Sequence, residues 1–114
     1  MNVLTILVVD DDPMVLDTTC EMIATIANVL PASSPGLAID MLRSAARVDV
    51  LLADVMMHPM TGIELAQCAK TIRPDLNVVL TSGYPADMLT LPPNCHFMAK
   101  PYRLARLHSI LLDI

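Results

Sequence analysis

The chain lacks a basic cluster. Its seven lysines and arginines are scattered against twelve acids, giving a net charge of −5, and that balance disfavours nucleic-acid binding by this domain. A cysteine framework is missing too. Cys20, Cys68 and Cys95 lie far apart and are odd in number, which argues against a disulfide scaffold or a zinc knuckle; reduced, mostly buried thiols of a cytosolic protein fit better. Long uninterrupted apolar runs are absent. Asp49, Asp54 and Glu64 break every stretch that approaches the roughly 18 residues of a membrane span. The opening Met1-Asn2-Val3-Leu4 carries no basic residue and acids follow within ten positions, so no signal peptide is expected. Repeats, linkers and low-complexity tracts are also wanting. The 114 residues suffice for one core but not for a separate catalytic or output domain.

What is present is a high apolar fraction, 54%, and a parallel sheet buried on both faces accounts for it, because its strands read as continuous apolar runs. Strand and helix patterns alternate. Residues 4–9 read as a buried strand. Pro13 opens a helix, with Asp12 as its N-cap and Val15, Thr19, Met22, Ile23 and Ile26 on one face. Residues 28–32 form a weak edge strand, since Pro31 cannot donate to a ladder. Ser34 caps a helix over 35–46 that turns Leu37, Ile39 or Ala38, and Leu42 inward. Further strands are expected over 48–53, 77–81 and 95–99, and a helix over about 63–72. Segment 84–94 has room for one or two helical turns before Pro92-Pro93 stops them. A last helix over about 103–112 groups Leu104, Leu107, His108 and Leu111. Strands each followed by a helix imply right-handed crossovers and a doubly wound α/β sheet.

In such sheets ligands collect at the carboxyl ends of the strands, and there the polar residues gather. Ile6-Leu7-Val8-Val9 runs into Asp10, Asp11 and Asp12, and the third strand ends in Asp54. The fourth delivers Ser82 and the fifth Lys100. Converging carboxylates repel one another and favour a divalent cation, foremost Mg²⁺. Acids, a hydroxyl and an ammonium around one carboxylate suit phosphoryl transfer, with Asp54 attacking in line and Lys100 and the metal neutralising equatorial oxygens.

Ile6-Leu7-Val8-Val9-Asp10-Asp11-Asp12-Pro13, Leu51-Leu52-Ala53-Asp54-Val55-Met56-Met57 with Gly62 eight residues past the acid, Thr81-Ser82-Gly83-Tyr84 and Lys100-Pro101-Tyr102 occur in a specific order and spacing. Over essentially its whole length, 1–114, the chain resembles the receiver domain of two-component response regulators. The resemblance implies a flavodoxin-like, five-stranded parallel sheet of order 2-1-3-4-5 with helices on both faces. It makes Asp54 the phosphoacceptor. Asp11 becomes a direct Mg²⁺ ligand, Asp10 acts chiefly through metal-bound water, and the Met56 backbone carbonyl adds a ligand; Mn²⁺ is able to substitute. It further implies that Lys100 pairs with the phosphoryl group, that the Lys100–Pro101 bond is cis, and that Ser82 and Phe97 are switch residues. The phosphoryl donor would be a sensor histidine kinase or a histidine phosphotransfer protein, docking near Met14, Val15 and Thr18; Val15 fits the core equally well. The downstream partner and the oligomeric state are not specified by the sequence.

Several positions depart from the family pattern. His58 stands where a proline is usual, with Pro59 one step later. The segment between the fourth and fifth strands is short, so the fourth helix should be stunted. Gly83-Tyr84-Pro85 and Pro92-Pro93 resemble receivers attached to hybrid sensor kinases. Met56 and Tyr84 flank the site, where two bulky groups would exclude attacking water. His58 reads as a solvated loop residue, His96 and His108 as structural, Asp12 as a helix cap, and most of the nine methionines as core filler. Two other functions compete. One is an aspartate-nucleophile phosphatase of the haloacid dehalogenase type, disfavoured by Met14 in its first motif and by the lack of an acidic pair after Lys100. The other is a degenerate receiver that binds partners without phosphorylation.

Overall fold

Strand order follows from where the apolar runs can be covered. In the computed structural model, which describes residues 3–44 and 46–114, the strands are β1 (Thr5–Val9), β2 (Asn28–Ala32), β3 (Val50–Asp54), β4 (Asn77–Ser82) and β5 (Cys95–Ala99). They form one parallel sheet in the order β2-β1-β3-β4-β5. The helices are α1 (Pro13–Ile23), α2 (Pro35–Arg43), α3 (Gly62–Ile72) and α4 (Leu104–Leu112). This is the flavodoxin-like arrangement expected from the sequence, with β2 and its Pro31 on an edge.

Alternation along each strand divides the core. Leu7, Val9, Leu51, Ala53, Val78 and Leu80 face one layer, which α2 and α3 cover with Ala38, Leu42, Leu65, Ala66 and Ala69. Ile6, Val8, Val50, Leu52 and Val79 face the other, covered by Leu16 and Ile23 of α1 and by Leu107, Ile110 and Leu111 of α4. Burial on both faces explains why the strands show no polar alternation.

The helix starts are set by side chains. Asp12 Oδ1 accepts the Met14 and Val15 amides, and Ser34 Oγ accepts the Leu37 amide. Thr61 and Glu64 form a reciprocal capping box at α3. The Arg73 guanidinium, at the far end of α3, donates to the carbonyls of Leu42, Ser44 and Ala46 and so satisfies the end of α2.

Three helix faces differ from the sequence expectation. In α1 Ile23 is buried and Met22 and Ile26 pack beside it as expected, but Leu16 takes the inward place and Val15 is exposed. In α2 Leu37 is exposed while Ala38 and Leu42 point inward. In α4 His108 is exposed and Ile110 takes its place inside. Helix α2 also ends at Arg43 rather than 46, where Ser44 Oγ donates to the Met41 carbonyl; residue 45 of that expected helix lies outside the described residues, as do residues 1 and 2. Strand β3 begins at Val50 rather than 48. After β4 only a single 3-10 turn forms, Ala86–Met88, so the stunted fourth helix is a loop with one turn. Among the described residues no helix is long and apolar enough to cross a membrane.

Candidate phosphoacceptor site

Parallel register brings the sequence-distant acids together. Val9 pairs with Ala53, and Asp54 with Thr81, so Asp10, Asp54 and Ser82 leave the sheet at one end. Lys100 follows β5, and its amide donates to the Ser82 carbonyl at 2.8 Å. Its ammonium reaches back across the strand ends to Asp54 Oδ2 at 2.6 Å and stands 3.8 Å from Asp10 Oδ2. Asp54 Oδ1 accepts the Met56 amide at 3.0 Å. Asp10 is buried and accepts the Asp12 amide through Oδ1, whereas Asp11 is exposed and its Oδ2 takes the His58 amide at 3.3 Å. Ser82 is fully buried, and its Oγ accepts the Tyr84 amide at 3.0 Å.

Electrostatics matches this geometry. Burial pushes the Asp10 carboxyl above its ordinary value, with the charges of Asp54 and Asp11 adding to it; the Asp12 amide and Lys100 offset only part. Burial alone would lower Lys100, but the hydrogen bond and charge of Asp54, with Asp10 behind it, outweigh burial and hold the ammonium above its usual range. One cation thus faces a cluster of acids.

Gly62 sets the position of the third acid. A Cβ at Gly62 would collide with the Asp54 carbonyl oxygen and lie 2.8 Å from the Asp54 carbonyl carbon. The Gly62 amide also donates to the Val55 carbonyl at 3.0 Å. The loop from Asp54 to α3 can fold back this tightly only without a side chain there.

A model of the response regulator receiver domain family matches residues 6–112. The chain belongs to that family. Receiver domains are signalling domains of two-component systems rather than classical enzymes, typically bind Mg²⁺ at their acid pocket, and interact with histidine kinases and effectors. Membership sets aside the haloacid dehalogenase alternative. A response regulator receiver protein, CpdR of Brucella abortus (strain 2308), is 37% identical over 59 residues, which are 48% of this chain and 49% of that protein. The chain thus spans about half the length of this curated relative. Among solved structures, a response regulator receiver protein from Sinorhizobium medicae WSM419 superposes with a TM-score of 0.86 at 28% identity, covering 98% of this chain and 94% of that one. A CheY-like receiver domain from Methanospirillum hungatei JF-1 shares the fold, with a TM-score of 0.85 at 23% identity over 98% and 93% of the two chains.

The receiver's expected residues fall as follows. Asp10, Asp11, Asp54, Ser82 and Lys100 lie at the same end of the sheet, and the Lys100–Pro101 bond is cis. A second cis bond, His58–Pro59, was not anticipated. Phe97 is half-buried against the layer covered by α2 and α3. Met56 and Tyr84 are about half exposed. Val15 and Thr18 line a groove of about 410 Å³ between α1 and the Pro101-Tyr102 turn, while Met14 is exposed outside it. Tyr102 and Thr19, to which the sequence assigned no role at the site, also contact it: both line a small cavity with Asp10, Asp54 and Lys100. The sole signal for this in the sequence is a tyrosine directly after Lys100-Pro101.

The donor set suits a hard cation. The carboxylates of Asp10, Asp11 and Asp54 and the Met56 carbonyl would all offer oxygen, and the buried Asp10 carboxylate lacks a counter-charge equal to its desolvation. Among the described residues no three His, Cys, Asp or Glu side chains are gathered into a cage.

Proposed function

We propose that the chain, as a single receiver domain over 1–114, accepts a phosphoryl group on Asp54 from a phosphohistidine and switches conformation to control a partner. The observation that carries this reading is the Lys100 ammonium held 2.6 Å from Asp54 Oδ2 beside the buried Asp10. In the transfer an Asp54 carboxylate oxygen attacks phosphorus, a P–O bond forms, and the P–N bond to the donor imidazole breaks. The imidazole leaves with the bonding pair and takes up a proton. Lys100 follows the charge from the carboxylate onto the phosphoryl oxygens, a preorganised ammonium needing little rearrangement. Asp10, Asp11, Asp54 and the Met56 carbonyl would hold Mg²⁺ (or Mn²⁺), which when bound supplies charge neutralisation at the phosphoryl oxygens.

Ser82 would then exchange its bond from the Tyr84 amide for one to a phosphoryl oxygen, and Phe97 on the neighbouring strand would repack with it. The donor would be a sensor histidine kinase or histidine phosphotransfer protein seated along α1 at Val15 and Thr18, with Met14 at its margin. Nucleic acid and membrane have no part in this domain's action. Work in the cytoplasm suits the free thiols Cys20, Cys68 and Cys95.

Intact-mass analysis after incubation with acetyl phosphate and Mg²⁺ tests the reading. One phosphoryl adduct is expected on the parent, none without Mg²⁺ and none on Asp54→Asn. No adduct, together with no Mg²⁺-dependent response to beryllofluoride, would favour a receiver that binds partners independently of phosphorylation.

A further inference from the structure

Each of the three acids at the strand ends accepts one backbone amide, but the donors differ in kind. Asp10 takes the amide of Asp12 and Asp54 that of Met56, each two residues further along its own loop. Asp11 takes the amide of His58, 47 residues away, at 3.3 Å. The Lys100 ammonium stands 3.8 Å from Asp10 and 2.6 Å from Asp54, and those two acids wall the small cavity beside it. Asp11 is exposed and bound to the loop after β3 instead. Among the described residues the three carboxylates do not close into a cage.

The donor sits on a fixed mount. The Val55 amide donates to the Thr81 carbonyl at 2.8 Å, and the Val55 carbonyl accepts the Met57 and Gly62 amides at 3.2 and 3.0 Å. The Met57 side chain is buried in the layer that holds Leu65 and Leu80. The His58 nitrogen follows directly on that anchored residue, so it cannot travel with Asp11. A carboxylate that swings away must give the bond up. At 3.3 Å and in solvent the bond is at the long, weak end of its class. His58 also stands where the family pattern has proline, a residue with no N–H to donate.

We infer that the His58 amide is a positioning group: it holds Asp11 in a resting place apart from Asp10 and Asp54, and a divalent cation shared by these acids must displace it. The inference rests on the reading of the acids as a Mg²⁺ site. Repulsion between carboxylates also keeps Asp11 apart, but it acts with or without the His58 N–H and cancels between variants. Removing the N–H therefore tightens Mg²⁺ binding, whereas a general loss of packing would weaken it.

An ester in place of the Met57–His58 amide removes the donor and keeps the imidazole. His58→Pro removes both, and His58→Ala keeps the donor alone; the ester decides where proline distorts the loop. In metal-free protein Asp11→Ala should move the His58 amide proton upfield in the NMR spectrum, while the Met56 amide, held by Asp54, stays in place. MgCl2 is then titrated and followed by backbone amide shifts. The Kd should be about threefold lower in the ester and in His58→Pro than in the parent, the lower end of what one hydrogen bond contributes. His58→Ala should match the parent. At saturation the parent's His58 proton should move upfield, as it does in Asp11→Ala. A Kd in the ester equal to or above the parent's overturns the inference and leaves the Mg²⁺ site standing, as does a His58 amide indifferent to Asp11→Ala. Equal tightening in His58→Ala overturns it too, since the imidazole would then be the cause. A parent without Mg²⁺-dependent shifts removes the Mg²⁺ reading and this inference together.

Discussion

Gly62→Ala adds one methyl group at the point where the loop after β3 is tightest. That carbon would meet the Asp54 carbonyl oxygen and lie 2.8 Å from the Asp54 carbonyl carbon and 2.9 Å from Val55 Cα. Carbon atoms rest about 3.5–4.0 Å apart, so the overlap must be relieved by backbone movement. Asp54 cannot yield easily, because it pairs with Thr81 and the next amide, Val55, donates to the Thr81 carbonyl at 2.8 Å. The start of α3 must therefore lift. Lifting breaks the 3.0 Å bond from the Gly62 amide to Val55 and loosens Leu65 and Ala66, both almost fully buried one turn on. Overpacking and a lost hydrogen bond together cost about 2 to 4 kcal/mol, a large share of the roughly 5–15 kcal/mol that holds a domain of this size. Urea unfolding should show the midpoint falling by about 1 to 2 M. Two controls sharpen the test. A Cβ at Gly83 meets nothing within 4 Å, and one at Gly36 meets only Ser34 Oγ at 3.9 Å, so Gly83→Ala and Gly36→Ala should be neutral or slightly stabilising. A Gly62→Ala midpoint equal to those of the controls would refute the close-approach reasoning.

A carboxyl raised on folding binds its proton more tightly in the native state, so its contribution to stability grows as pH falls through the folded value toward the ordinary 3.8 of an unfolded aspartate. Without divalent cations, Asp10→Asn should therefore be more stable than the parent at pH 7, and the gap should narrow as pH approaches 4; a less stable Asn variant at pH 7 would contradict the burial cost. Arg73→Met abandons three carbonyls at the end of α2 and should cost about 2 kcal/mol, read from urea midpoints, with a loss under about 0.5 kcal/mol counting against the clamp. Met56→Asn with Tyr84→Glu puts polar groups at two half-exposed apolar positions beside the site. The phospho-Asp54 half-life should shorten several-fold in that variant, and an unchanged half-life by timed mass analysis would count against water exclusion by these side chains.

The sheet was legible because burial on both faces leaves unbroken apolar runs, and Asp10, Asp54 and Lys100 each sit one step from such a run. Helix faces were harder. Val15 and Leu16 are both apolar, and only the seat of α1 on the sheet decides that Leu16 goes in. His108 fits an apolar spacing as well as Ile110 does, yet the imidazole stays outside. The end of α2 depended on Ser44 and on Arg73, some thirty residues away, which no local pattern displays. For the site, residue types at strand ends named the acids and the lysine. The places of Thr19 and Tyr102 beside Lys100 were invisible because they depend on α1 lying across the turn after β5. The cis bond before Pro59 likewise carries no local mark distinguishing it from a trans bond.

The replacement of a fourth full helix by one 3-10 turn bears on where the fold opens first. Between Ser82 and Cys95 the backbone is tied by the Met88 amide to Pro85 and the Leu89 amide to Ala86, and Met88 lies mostly in solvent. Leu89 and Leu91 alone from this stretch lean on the layer beneath, beside Phe97. Amide exchange should be fastest along this stretch and slowest in β1 and β3, so that the native state breathes at one corner while its centre stays shut. Ser82 and Phe97 stand at the hem of that corner. A rearrangement involving them would draw on a local opening costing a fraction of the global unfolding free energy, leaving the central strands as a fixed anvil against which it works.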